Sequence, residues 1–479
     1  MARLFVFGIG GTGARVMKSL TMLLASGMKP GNFEVVPILI DPHKDLKELN
    51  DTKTLLRLYS EIHQNIYNKT VENDNGFFKS KITTLKSLSP DSGLKDDFEF
   101  DERHDVSFRN FLELSNLNAD NPTLDLLSLL YSDKNLNDSL SKGFKGNPNV
   151  GSVVLNSIRD SEGFKAFESA FGKDDKIFII SSIFGGTGAA GFPLLLKNFR
   201  NHDKTILRDC QIGALTVMPY FKLSESTESD IDSNSFLTKT KSALTYYIRP
   251  EFTKQYNAIY YIADPDKQNR PYDNNEEEQN NKAHFVEMLG ALSVFNFANG
   301  NFPEKGNVHE YCLESDKIDS VDFINIGKST REKLGKDLTN LYIMSKLNES
   351  NIENEKLPYN KGSFNKEYEN EKVFFDDLNK FFDNYYFKWL KEMSENERQF
   401  NPINLSVKDN FHELVKGFEF EKKSLEGLLT DAYDISQVQL EMSKELESKN
   451  LKKLNEQKLY QYITACYNSI NKVNSRIKF

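Results

Sequence analysis

Cysteine is almost missing from this 479-residue chain. The three that occur, Cys210, Cys312 and Cys466, are far apart and fit neither a metal knuckle nor a disulfide framework. Isolated thiols of this kind fit a reducing, cytoplasmic setting. Histidine is also scarce, at seven. No His/Cys cluster has zinc spacing, and no Ser-His-Asp arrangement can be placed. No apolar run approaches the length of a membrane span. The first residues lead directly into a strand pattern, without the basic and then apolar stretches of a secretory leader. An excess of positive charge is missing too. The chain has 61 Lys and Arg against 70 Asp and Glu, net -9, so by composition no nucleic-acid partner is expected. What remains is a polar chain, 38% hydrophobic with mean hydropathy -0.55, long enough for two or three domains.

Residues 176–193, KIFIISSIFGGTGAAGFP, organise the rest. The run 177–183 reads as a buried strand, Phe184, Gly185, Gly186, Thr187 and Gly188 as a turn, and 189–198 as the opening of a helix. Glycines let a backbone approach an oxyanion, and the first amides of the helix are unpaired at the positive end of its dipole. Such a stretch is either an anion site, for phosphate above all, or a tight turn that packs a helix onto a strand.

A second copy of this arrangement begins the chain. Residues 3–7 read as a strand, Gly8, Ile9, Gly10, Gly11, Thr12 and Gly13 as a Gly-rich turn, 14–26 as an amphipathic helix, and 34–40 as a strand ending at Asp41. The spacing is also that of a dinucleotide-binding βαβ unit, so a nicotinamide dehydrogenase stays open as a rival. Residues 46–140 are polar and read as an insertion of helices and loops, with helical patches at 54–67 and 108–114. A third turn, Gly143 to Gly151, precedes a helix expected over 152–171. Strands follow at 210–218 and 258–262, with a helix at 233–247 between them. An acidic loop is expected over 266–278, and a long apolar helix over 280–297. In that helix Phe285, Met288, Leu289, Leu292 and Phe295 recur at helical spacing, a core stripe. From 372 onward the pattern is helical: 373–393, 408–418, 421–447 and 454–477.

Taken in order, the turns resemble those of the tubulin/FtsZ superfamily. FGIGGTGARV at 7–16 is similar to the first phosphate loop of FtsZ, and ILIDPH at 38–43 to the second. GFKGNPNVG at 143–151 resembles the third, and FGGTGAAGFP at 184–193 the GGGTGxG signature, with Phe184 and Ala190 replacing its outer glycines. LTVMPYF at 215–221 and YYIADPDK at 260–267 are similar to the fifth and sixth loops. NNKAHFVEML at 280–289 resembles the start of tubulin's central helix. The likeness covers about residues 3–300, and it is closer to divergent bacterial tubulin-like proteins than to FtsZ or tubulin proper.

The resemblance implies an α/β fold with a Rossmann-type parallel sheet and a central helix, followed by a largely helical C-terminal region. Its divisions would be a nucleotide-binding domain over 1–300, a remnant of a second α/β domain over 301–371, and a helical extension over 372–479. It implies GTP or GDP held by Gly10, Gly11, Thr12, Gly13, Arg15, Gly143, Gly146, Asn147, Gly185, Gly186, Thr187, Gly188, Pro219 and Asp264. Asn281 would read the base, and Arg15 replaces a guanine-contacting asparagine. Asp41 would hold Mg²⁺, through water. Partners would be further copies stacked head to tail, and a partner protein would meet the C-terminal helices. Hydrolysis would be completed by an acid of the neighbouring subunit. The nearest match to that acidic motif is SVDFIN at 320–325, with Asp322 on the first acid and Asn325 where the second belongs, which implies slow turnover because an amide is no general base. Glu304 and Glu310 are the alternatives. A non-hydrolysing, nucleotide-responsive module is the rival of a different class. His43 and His284 lie close to these motifs, and both are most simply structural histidines.

Overall fold

The computed structural model describes residues 1–43, 46–68, 76–100, 104–118, 120–144, 146–223, 233–264, 271–272, 281–311, 320–353, 371–396, 398–407, 411–418, 433–453 and 457–479. Five short apolar segments and one polar edge segment pair into one parallel sheet: β1 (Ala2–Ile9), β2 (Phe33–Ile40), β3 (Lys176–Ser182), β4 (Ile212–Val217), β5 (Ala258–Ile262) and, at the edge, β6 (Asn307–Tyr311). Their spatial order is β2-β1-β3-β4-β5-β6, and every neighbouring pair is parallel. The inner strands are buried almost throughout, as expected where helices cover both faces of a sheet.

The helices of this half are α1 (Gly10–Ala25), α2 (Lys47–Ile66), α3 (Pro148–Val154), α4 (Glu162–Ala170), α5 (Gly186–Arg200), α6 (Ser233–Tyr247) and the central helix α7 (Phe285–Asn299). Helix α1 packs against α2 and α7, whereas α5 packs against α3. Both α1 and α7 also rest on β3, so they share one face of the sheet. Yet β1 to β2 steps one way along the sheet and β5 to β6 the other. The two crossovers therefore have opposite hands, and the rule that such connections are right-handed makes the one around α7 the exception.

The C-terminal region is largely helical. It contains α8 (Lys328–Glu353), α9 (Lys372–Lys380), a π-turn over Phe381–Tyr386, α10 (Phe387–Ser394), α11 (Ile435–Glu447) and α12 (Lys458–Asn474). Helix α12 packs on α8 and α11. The short pairing of Ser320–Val321 with Gln399–Phe400 is also parallel. One continuous core joins both regions. Phe381 meets Phe78 at 4.9 Å and Tyr467 meets Phe77 at 5.2 Å, centroid to centroid. The buried Trp389 donates its Nε1–H to Ser19 Oγ at 3.1 Å. Among the described residues no helix is long and apolar enough to cross a membrane.

The fold class is the one the sequence implied, but several elements differ. The expected helix over 152–171 is broken, because Ser161 Oγ accepts from Phe164 N–H at 3.0 Å and starts α4 afresh after a 3-10 segment. The patch at 108–114 stops as α-helix at Phe111. The central helix begins at Phe285, where His284 Nδ1 accepts from Val286 N–H and Glu287 accepts from His284 N–H, closing a capping box. Asn281 therefore precedes the helix. Of the helix expected over 408–418, residues 411–418 hold only a 3-10 turn, since Asn404 N–H bonds to Leu414 O and Ile403 bridges Val415. Residues 266–278 lie outside the described residues apart from Pro271–Tyr272, as do 408–410 and 421–432.

Candidate functional site

The first amides of α1 and α5 have no side-chain cap, and neither helix carries an acidic residue in its first turn. Both helices start at the carboxyl ends of adjacent strands, β1 and β3, so two positive helix ends face one region. Gly10 adopts φ +71, a left-handed conformation that suits glycine. A Cβ there would lie 3.5 Å from Thr187 Cβ, 3.8 Å from Gly188 N and 3.9 Å from Asp41 Oδ2. Three of the turns thus meet at Gly10. The third turn joins them from the other side, because a Cβ on Gly186 would sit 3.1 Å from the backbone nitrogens of both Gly146 and Asn147.

Close packing holds these turns in place. A Cβ on Gly13 would lie 2.5 Å from Gly8 C, and one on Gly188 would lie 2.8 Å from Ser182 N and O. In both units the helix leans directly on the backbone of its own strand. Asn147 caps α3, its side chain accepting from Asn149 and Val150 N–H at 3.1 and 3.4 Å. Lys239 on α6 donates its ammonium to Gly146 O, which places a cation beside the third turn. Its pKa is lowered by burial.

Asp41 is 5% exposed. Burial pushes its carboxyl up to about 7, the His43 N–H at 2.8 Å acts in the opposite direction, and the charges of Glu99 and Glu48 push it further up. A buried carboxylate among like charges is at its most stable with a cation beside it. A hard donor next to an anion cradle fits a Mg²⁺ ion bound mostly by phosphate oxygens and water. Among the described residues there is no group of three metal-ligating side chains.

The remaining expected residues have other immediate partners. Arg15, 6% exposed, lies between two acids, donating from Nε to Glu287 Oε1 at 2.6 Å and from NH1 to Glu48 Oε1 at 2.9 Å. It also donates to the carbonyls of Asn281 and Lys282 at 3.3 and 2.7 Å. Asp264 is buried and pairs with Arg398 Nε at 3.0 Å, with His284 Nε2 at 3.8 Å. Pro219 precedes Tyr220, whose hydroxyl donates to Glu287 Oε1 at 2.9 Å. Among the described residues, its chain neighbours apart, no atom lies within 4 Å of a Cβ placed on Gly143. Asp322 follows the small C-terminal pairing, where its N–H donates to Asn325 Oδ1 at 2.7 Å, and burial raises its pKa. Glu304 and Glu310 are exposed, Glu310 on the edge strand β6.

Side chains that were given no role in the motifs also reach this end of the molecule. Glu48 comes from α2, Glu287 from α7, Lys239 from α6 and Tyr220 from the loop after β4. Glu392 and Arg398 come from the C-terminal region, where Glu392 Oε2 accepts from Ala283 N–H at 3.0 Å. Only Glu287 had a local signal, as the third residue of a capped helix.

No family model matches the chain, and no curated protein matches it. Solved structures do. CetZ2 from Haloferax volcanii, in a GTPγS-bound protofilament, is 11% identical over 62% of this chain and 59% of that one, with TM-score 0.30. CetZ from Methanosaeta thermophila is 13% identical over 55% and 46%, with TM-score 0.27. CetZ1 from Haloferax volcanii, a GDP-bound monomer, is 10% identical over 62% and 58%, with TM-score 0.29. The chain thus spans about half to three-fifths of the length of these structures. At such identities and TM-scores the functional reading rests on the geometry of the turns.

Proposed function

We propose that this chain is a GTP-binding protein of the tubulin/FtsZ kind that stacks head to tail, with each nucleotide lying between two subunits. One observation carries the reading: Gly10, Asp41 and Thr187–Gly188 converge at the uncapped starts of α1 and α5, with Gly146 and Asn147 against Gly186. Two helix ends and a set of close-packed main-chain amides suit a chain of phosphates. Thr187 would donate its hydroxyl to them, and Lys239 would add a positive charge. Asp41 would hold Mg²⁺ through water, and the ion would supply neutralisation of charge on the phosphates. A heterologous contact that does not close gives a filament.

Hydrolysis would need an acid from the next subunit, with Asp322 the candidate. A second reading has its own observation. Asp322 is tied into a turn with Asn325, and an amide cannot take a proton from water. On that reading the chain binds nucleotide as a signal, and its C-terminal helices hold a partner protein.

GTP turnover per subunit across a range of protein concentrations, with pelleting of the same samples, separates the two. Turnover that rises steeply together with GTP-dependent pelleting supports assembly, and Asp322→Ala should then abolish turnover while leaving binding intact. Binding with flat turnover and no pellet supports the signalling module. Protection from heat by NAD and not by GTP would sink both in favour of a dehydrogenase.

A further inference from the structure

Two helix faces among the described residues are both apolar and exposed. The first belongs to the short helix Pro122–Leu130, which has no buried residue. Leu124 and Leu127 on one side rest against the core, and the Asn121 side chain caps the helix by accepting from Thr123 N–H at 2.9 Å. At helical spacing Leu126, Leu129 and Leu130 fall together on the other side. All three are exposed, Leu129 to 84%. Single exposed leucines are ordinary, but three on one anchored face mark an interaction surface.

The second face belongs to α6. Its inner side is fixed by Thr240 and Tyr247, both buried, and the Tyr247 ring stacks on Phe252 at 4.8 Å. Its outer side carries Leu237 and, one residue past the helix end, Ile248, about three turns away. Both are exposed, Ile248 to 70%. Lys241 stands between them on the same side, and Arg249 follows.

We propose that these two faces bind each other between copies of the chain, the leucine helix of one copy seating on α6 of the next. The proposal makes no use of the nucleotide reading. Charge selects this occupant. Residues 104–140, around the leucine helix, carry six acids and two bases, whereas residues 237–254, around α6, carry four bases and one acid. Asp125 flanks Leu129, and both Asp125 and Lys241 are exposed, neither with an ion pair among the described residues. A leucine face docked on its own copy would instead bring acids together, and like charges side by side oppose binding. Burial of the leucines and isoleucine supplies the affinity, and the charges set the partner. Because the two faces differ, the contact is heterologous. Every copy offers one of each, so copies add in a row unless the rotation closes a ring.

The test is sedimentation velocity of the full chain, without added nucleotide, across a wide range of concentration. The wild type is expected to grow beyond dimers as concentration rises. Leu129→Asp and Ile248→Asp should each weaken association about tenfold or more, with thermal unfolding unchanged because both side chains are exposed. A mixture of the two variants identifies the pairing. Each keeps the face that the other has lost, so the mixture should form one-to-one pairs that grow no further. Asp125→Lys should weaken association about threefold, and Lys241→Glu added to it should restore the loss. If either aspartate variant fails to fold, this charge exchange decides. A wild type that stays monomeric overturns the proposal, as does a mixture that forms no pairs. A loss with Leu129→Asp but not with Ile248→Asp would mean that leucine faces meet each other, and also overturns it. GTP binding is measured separately, so none of these failures touches the phosphate cradle.

Discussion

The sheet half and the helical half of this protein are held together in different ways. In the sheet half main chain meets main chain, as where Gly13 lies against Gly8 and Gly188 against Ser182. In the helical half side chains separate the elements. A Cβ on Gly335 of α8 would first meet the ring of Phe479, with atoms at 2.5 and 2.7 Å. Buried polar groups differ in emphasis between the halves. The sheet half uses charges, such as Arg15 with Glu48 and Glu287, Lys53 with Glu99 at 2.7 Å, and Asp264 with Arg398. The helical half buries charges as well, such as Glu441 with Lys444 at 2.7 Å and Asp377 with Lys380 at 3.0 Å, and adds a set of neutral amides and hydroxyls. Asn340 bonds Asn471 and Asn474, Tyr433 donates to Asn474 at 3.0 Å, and Tyr462 donates to Asn348 at 3.2 Å. Buried charges keep an affinity for a charged ligand, whereas a satisfied amide ladder mainly specifies which helices pack.

The strongest way to break the comparison is Gly13→Ala. The new methyl meets backbone that cannot step aside, so a loss of about 3 kcal/mol in denaturant unfolding is expected, together with loss of GTP binding. A fully stable, GTP-binding variant would show that the first turn is not tightly packed. Next comes Trp389→Phe at the seam. Ser19 is fully buried, and losing the indole donor should cost about 2 kcal/mol, with the two halves still melting together. Separate melting transitions for the halves would show that the seam is weaker than the shared core suggests.

A smaller effect is expected at Asp337 on α8, where burial pushes the carboxyl up to about 7 against the opposing pull of Lys333 and Lys336. Its unfolded value is about 3.9. The protonated form is thus favoured in the folded state, and its contribution is complete below about pH 4 and lost as pH rises to about 7. Asp337→Asn should match the wild type at pH 4 and exceed it by about 2 kcal/mol at pH 8, allowing for its partial exposure. A constant difference across that range would remove Asp337 from the pH dependence. The smallest effect belongs to Gly335→Ala. The Phe479 ring can turn away, and alanine favours a helix by about 1 kcal/mol, so stability should change by less than about 1 kcal/mol. A loss as large as that of Gly13→Ala would erase the contrast between the halves.

These contrasts explain what could be read without coordinates. The turns at Gly10 and Gly188 are legible because a strand running into a helix on its own backbone requires glycine at a fixed spacing, all within about a dozen residues. The sixth strand was missed because Asn307–Tyr311 is a half-exposed edge segment, with Val308 50% exposed, and it lacks the apolar run of the inner strands. The break at Ser161 was missed because a single serine cap interrupts an otherwise helical pattern. Arg15 stood in a glycine-rich motif, but its partners Glu48 and Glu287 are 33 and 272 residues away, and no spacing links them.

By itself, then, the sequence determined the local events: which runs become strands, where glycine lets a helix lean on its strand, and that the C-terminal region is helical. Each of these is set by torsions and hydrophobic periodicity over a few residues. Tertiary structure alone decided which turns share one point, that Glu392 and Arg398 reach the segment before the central helix and Asp264, and that α7 lies on the same face as α1. Those outcomes depend on contacts between residues hundreds of positions apart, and the free energy that selects them comes from packing and charge pairing in the shared core.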